Sequence, residues 1–247
     1  MRALIKVGAF IGVFWAALLC LDYGVQFLLH RDPDLLLHHG KGQVIFYILF
    51  VLIVFLFQIC VNRQGFLSLG LKPYPGWPVT VFKGWAAGVI AFVFYSYLMW
   101  GAGIVQFDVR YGIERILVAF LVAFSAFGIA LTEEILFRGF FLQTMLKDLP
   151  RWVAVAITGV LFVLFHDLAH VWKFWTTHRQ MMLAGGLFSL NVLLCVAYLK
   201  SGTLYLPIGI HAGLVFAKVF FQKMKLLTLV QKDSYWWGLE GDPRRGF

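Results

Sequence analysis

The sequence predicts an all-α polytopic membrane protein, a bundle of about seven to eight transmembrane helices. Three observations predict it. Of 247 residues, 61% are hydrophobic and only 13% charged, where soluble domains are roughly a quarter charged. Several apolar runs reach the ~20 residues a helix needs to cross ~30 Å of hydrocarbon. The basic residues fall mainly in the connectors and the C-terminal tail, where lysine and arginine set topology and meet anionic headgroups. A chain of this length has room for one large membrane domain. It reads as N-terminal helices without motifs (1–112), a motif-bearing core (113–227) and a polar, aromatic tail (228–247).

The first apolar run follows Arg2 and Lys6 and continues past Asp22 to Leu29. No small-x-small cleavage site follows it, so an uncleaved spanning helix is expected. A polar connector with Pro33, His30, His38 and His39 leads to a second span over residues 43–61, with little polar except Gln58. Glycines and prolines between residues 62 and 78 exclude a regular helix there, and Tyr74 and Trp77 suit an interfacial aromatic belt. The third span, 79–107, is aromatic and dotted with glycines. Residues 114–149 would extend roughly 50 Å as one helix at ~1.5 Å per residue. A break or change of direction is therefore expected just after Arg138-Gly139, with 140–147 shallow or re-entrant. Further spans are expected over 152–172, 181–199 and 204–227, the last two joined by a tight turn at Lys200-Ser201-Gly202-Thr203. Basic residues at both ends favour an even number of crossings with both termini cytoplasmic.

The formal net charge of +9 lies on membrane flanks rather than on a basic face interleaved with exposed aromatics, so membrane lipids and not nucleic acid are the expected partners. Cys20, Cys60 and Cys195 lie far apart in apolar runs. Their spacing suits neither a metal site nor a disulfide framework.

Ionisable groups at membrane depth rarely persist without a partner and a purpose. Here they arrive from three separate runs. In Leu131-Thr132-Glu133-Glu134-Ile135-Leu136-Phe137-Arg138-Gly139, a helix puts Glu134 and Arg138 on one face, four residues apart, where the guanidinium can neutralise the carboxylate. Glu133 lies about 100° round and is left for chemistry, since a buried carboxylate not tied to a cation is a stronger base than a solvated one. The second run carries His166 and His170 four apart, a spacing that suits two metal ligands, with Asp167 off that face. The third carries His211 within Gly209-Ile210-His211-Ala212-Gly213. A salt-bridge cluster with interhelical histidine hydrogen bonds would account for any one of these alone; three together point to a site inside the membrane.

These residues carry a resemblance. Glu133-Glu134 with Arg138 matches the Glu-Glu-x-x-x-Arg motif of the CPBP family, the CAAX-protease and bacteriocin-processing (Abi-type) membrane proteins. Phe162 to His166 matches its Phe-x-x-x-His motif, and Lys200 to Pro207 leading to His211 resembles its third block. The three blocks occur in family order. The resemblance implies an intramembrane endopeptidase of CAAX prenyl endopeptidase type, acting on a peptide or protein substrate, in some members lipid-modified. In it Glu133 and His166 would activate the attacking water, Glu134 and Arg138 would support them, and His211 would stabilise the oxyanion. Glu133, Glu134, His166 and His211 would equally be the ligands if a zinc ion activated the water. The chain departs from the family at Val215, where asparagine or aspartate is usual four residues after the histidine. Asn191, in the preceding span, is the expected substitute donor. Val215 also leaves open a non-catalytic scaffold or immunity-type protein of the same fold. The setting implied is the plasma (inner) membrane of a bacterium. A transporter using the acids as a proton relay is disfavoured, because no repeat symmetry or pair of broken helices is visible.

Overall fold

A computed structural model describes the backbone of residues 2–29, 40–108, 114–166 and 178–231, with side chains over 2–20, 47–108, 115–166 and 181–231. His30, His38, His39, Asp167, His170, Trp236 and Trp237 lie outside the described residues.

Seven helices account for most of the described chain. They are α1 (Arg2–Leu29), α2 (Gly40–Cys60), α3 (Trp77–Gly101), α4 (Glu114–Glu134), α5 (Arg151–His166), α6 (His178–Ser201) and α7 (Tyr205–Lys223). Two short strands, β1 (Val105–Phe107) and β2 (Leu227–Leu229), pair antiparallel with Gln106 opposite Thr228. Among the described residues five helical stretches are long and apolar enough to cross a membrane, and Tyr47–Cys60 and Arg151–His166 are shorter apolar helices. The protein is an integral membrane protein.

Three expectations change. The third span ends at Gly101 rather than at residue 107, and the last ends at Lys223 rather than at 227, because Val105–Phe107 and Leu227–Leu229 are strands. Each chain end of this ribbon thereby gives its backbone groups to a neighbour, and Ile104 accepts from Val230 N at 2.9 Å. Of the break or change of direction expected after Gly139, the backbone does not break. The helix instead widens into a π-helix over Ile135–Leu142 and closes with an α-helical turn at Gln143–Met145. A π segment re-routes side chains without surrendering backbone hydrogen bonds, which a break inside hydrocarbon would leave unsatisfied.

The chain forms two compact units, each built from two separated stretches. The first comprises Met1–Lys72 and Thr132–Ala154, the second Pro73–Leu131 and Val155–Phe247. In the first, all eight residues of the π segment are buried. Phe10 of α1 is the hub of its aromatic core, with ring centroids 4.9 Å from Phe140, 5.4 Å from Phe141 and 5.3 Å from Phe57. Gln58, the polar residue of α2, is buried and satisfied. It donates to Ser68 Oγ at 2.8 Å and accepts from Asn62 Nδ2 at 2.9 Å, which ties the end of α2 to the 3-10 turn Phe66–Leu69.

In the second unit α3 lies along α7. Gly84 and Gly88 meet Gly209 and Gly213 so closely that a Cβ on Gly84 would sit 2.6 Å from the Leu206 carbonyl oxygen. Small residues four apart on both helices allow this approach where no hydrophobic force drives apolar helices together. The glycines also orient the histidine between them. At about 100° per residue, His211 points to the side of α7 opposite the glycine stripe, away from α3.

Candidate active site

The acidic half of the candidate site lies in the first unit. Arg138 Nη1 donates to Glu134 Oε1 at 2.8 Å, and both side chains are wholly buried. The i,i+4 pairing read from the sequence is therefore the pairing found. An ion pair desolvated to this degree is strongly coupled, and removing one partner leaves the other charge buried. The Arg138 guanidinium also lies 5.9 Å from the centre of the Phe137 ring. Glu133 is buried as well, at 8% exposure, but turns to a different neighbour: its carboxylate accepts a hydrogen bond from the Tyr47 hydroxyl of α2. Two adjacent glutamates thus have separate partners.

Tyr47 was not singled out among the residues of the second span, which reads as apolar apart from Gln58. One signal was present, a phenol hydroxyl at membrane depth that needs an acceptor. Its acceptor lies 86 positions further along the chain, and no local periodicity reports such a partner.

The histidines lie in the second unit, around Phe162. His166 occupies the last turn of α5, and its Nδ1 lies 2.8 Å from the Phe162 carbonyl oxygen one turn back. A ring nitrogen facing a carbonyl carries the proton, so a neutral His166 presents Nε2 as its acceptor. The Phe162 ring packs against the His166 ring at 4.2 Å between centroids and against His211 at 6.4 Å. Phe162 is completely buried and His211 is 3% exposed. The two histidines thus share one aromatic neighbour, although 45 residues separate them.

Asn191 is buried on α6, where it donates to the Val155 carbonyl at 3.2 Å and accepts from Cys195 Sγ at 3.6 Å. Gly159 of α5 makes room for it: a Cβ there would sit 3.1 Å from Asn191 Nδ2 and closer still to the Phe188 ring. These contacts join α6 to α5. Val215 is half-buried one turn beyond His211 on the same helix and offers no polar atom. Among the described residues, no group of three or more His, Cys, Asp or Glu side chains is arranged to hold a metal ion. His170, the expected i+4 companion of His166, lies outside the described residues.

Residues 114–217 match the family model described as type II CAAX prenyl endopeptidase, Rce1-like. The matched segment contains all three motif blocks. No curated protein and no solved structure matches the chain.

Proposed function

We propose, from the match of residues 114–217 to the type II CAAX prenyl endopeptidase model, that the chain is an intramembrane endopeptidase that hydrolyses a peptide bond with water activated by Glu133 and His166. The observation that carries the proposal is the division of labour between the adjacent glutamates. Glu134 is bound to Arg138 in a wholly buried pair, while Glu133 turns to the Tyr47 phenol, which sets it apart as the candidate general base. In this reading Glu133 takes a proton from water as its oxygen attacks the scissile carbonyl. His166 Nε2 orients that water, and the proton is passed to the leaving amine as the C–N bond breaks. His211, on the side of α7 facing Phe162, donates to the oxyanion of the tetrahedral intermediate. Arg138 and Glu134 fix the helix that carries Glu133.

A zinc ion is the alternative activator that the resemblance implies, with Glu133, Glu134, His166 and His211 as ligands. Glu134 is the poorest fit, because an Arg138 guanidinium already occupies its Oε1. The substrate class is a peptide or protein presented at the membrane, with lipid modification at a cysteine as the form to test first. The bacterial inner membrane is the proposed location. Val215 favours a second reading, a peptide-binding scaffold without turnover, since it removes one donor from the oxyanion side.

One experiment separates the readings. The purified full chain in lipid vesicles is offered peptides with and without a prenylated cysteine, and products are identified by mass. Cleavage at one bond that is lost in Glu133→Ala and reduced in His211→Ala supports the protease. Saturable binding without product across the panel supports the scaffold.

A further inference from the structure

Resting on the reading of Glu133 as the general base, we propose that Tyr47 is a positioning residue for it. Its phenol holds the carboxylate in the orientation from which it reaches water.

The helix that carries Tyr47 is built to hold it still. Residues at spacings of three and four on α2 form one face, and Tyr47, Phe50, Val54, Phe57 and Gln58 follow that spacing. Phe50, Val54 and Gln58 are buried. Phe50 packs edge-on against Phe14 at 4.6 Å and Phe57 against Phe140 of the π segment at 6.1 Å. The face therefore docks on the same segment that follows Glu133, within one compact unit. Tyr47 lies at the end of that face, half-buried, and its hydroxyl meets the Glu133 carboxylate. A tyrosine has only two side-chain torsions, so a ring seated on a packed face directs its hydroxyl with little freedom.

The chemistry suits the role. A cation in this place would bind Glu133 as Arg138 binds Glu134 and make it a weaker base. A phenol is neutral, donates one hydrogen bond and leaves the net charge on the carboxylate. Misplacing a reacting group by about 1 Å lowers rates roughly 100-fold, so loss of this hydroxyl is expected to lower turnover while leaving substrate affinity alone.

The test uses the full chain in lipid, comparing wild type, Tyr47→Phe and Glu133→Gln. Tyr47→Phe keeps the ring and removes only the donor. The expected result is a kcat roughly 10- to 100-fold lower, a KM within about twofold and an unchanged melting temperature, with Glu133→Gln inactive. A second readout does not depend on turnover. The carboxylate stretch of Glu133, taken as the infrared difference between wild type and Glu133→Gln, is expected to shift in Tyr47→Phe. Wild-type kcat in Tyr47→Phe, or a carboxylate band that does not move, overturns the tyrosine proposal and leaves the base assignment standing. A raised KM at unchanged kcat also overturns it, because Tyr47 would then contact substrate. Full activity in Glu133→Gln overturns the base assignment itself and the tyrosine's role with it.

Discussion

Glu133 and Glu134 show how far a local rule reaches. An i,i+4 spacing was enough to pair Glu134 with Arg138, and the structure places them 2.8 Å apart. The partner of Glu133 was not legible, because Tyr47 comes from another helix and only folding brings it near. The two acids should respond differently to substitution. Arg138→Ala strands Glu134 without its cation and is expected to destabilise the protein by roughly 3–5 kcal/mol, read as a large fall in melting temperature. Glu133→Gln, at a position paired with a phenol, should leave the melting temperature nearly unchanged. Equal destabilisation by both would remove the division of roles. Asp148 makes a separate prediction outside the spanning segments. It accepts from the Ala3 backbone N–H at 2.7 Å, and that bond holds its carboxyl below the ordinary value of 3.8. The lowered value means the contact contributes above pH ~4 and is lost as pH falls through the folded-state value. Asp148→Asn should therefore flatten the acid limb of stability against pH, and an unchanged limb would show that the contact contributes nothing.

At the scale of elements, hydropathy located the spanning helices well but misjudged how some of them end. Composition cannot distinguish a helix end from a short strand when both are apolar, so β1 and β2 were absorbed into spans. Residues 114–149 are too long for one straight span, and the chain accommodates them with a π-helix rather than a break. The two share a cause, a long apolar helix that must redirect side chains, but hydrogen bonding in hydrocarbon favours the π-helix. The glycine contact between α3 and α7 was visible in the sequence only as glycines scattered along a span. Its meaning lies in the four-residue spacing repeated on both helices. Gly88→Ala places a methyl well inside contact with the Ile210 carbonyl, and backbone cannot yield as a side chain does. A loss of roughly 1–3 kcal/mol or more is expected, with His211 displaced and activity reduced. Gly12→Ala, where nothing lies within 4 Å of the added Cβ, is the matched control and should be close to neutral. If both variants melt alike, the close approach is not what holds α7.

The whole molecule is where a sequence says least. Two compact units are each assembled from two distant stretches, and one of the three divisions between them falls between Leu131 and Thr132, directly ahead of the acids. No composition shift marks that position, because this division depends on which helices pack, whereas the one at Lys72/Pro73 falls in the glycine- and proline-containing connector. The family motifs survive this interleaving, since residues 114–217 match the family as one continuous segment. The choice between water activators is also a property of the whole molecule. With the Arg138 guanidinium already on Glu134, cleavage is expected to survive exhaustive chelation. Activity abolished by chelator and restored by zinc would reassign Glu133 and the histidines as ligands.

In the proposed mechanism Glu133 and His166 together activate water for peptide hydrolysis. Single-turnover cleavage by the full chain in lipid vesicles tests it most directly, comparing wild type, Glu133→Gln, His166→Ala and the double variant at matched folded fraction. Each single variant is predicted to lose at least about 100-fold, with the double variant scarcely lower than either, because groups that act as a unit are not additive. Wild-type cleavage in either single variant, or losses that multiply in the double, would contradict it.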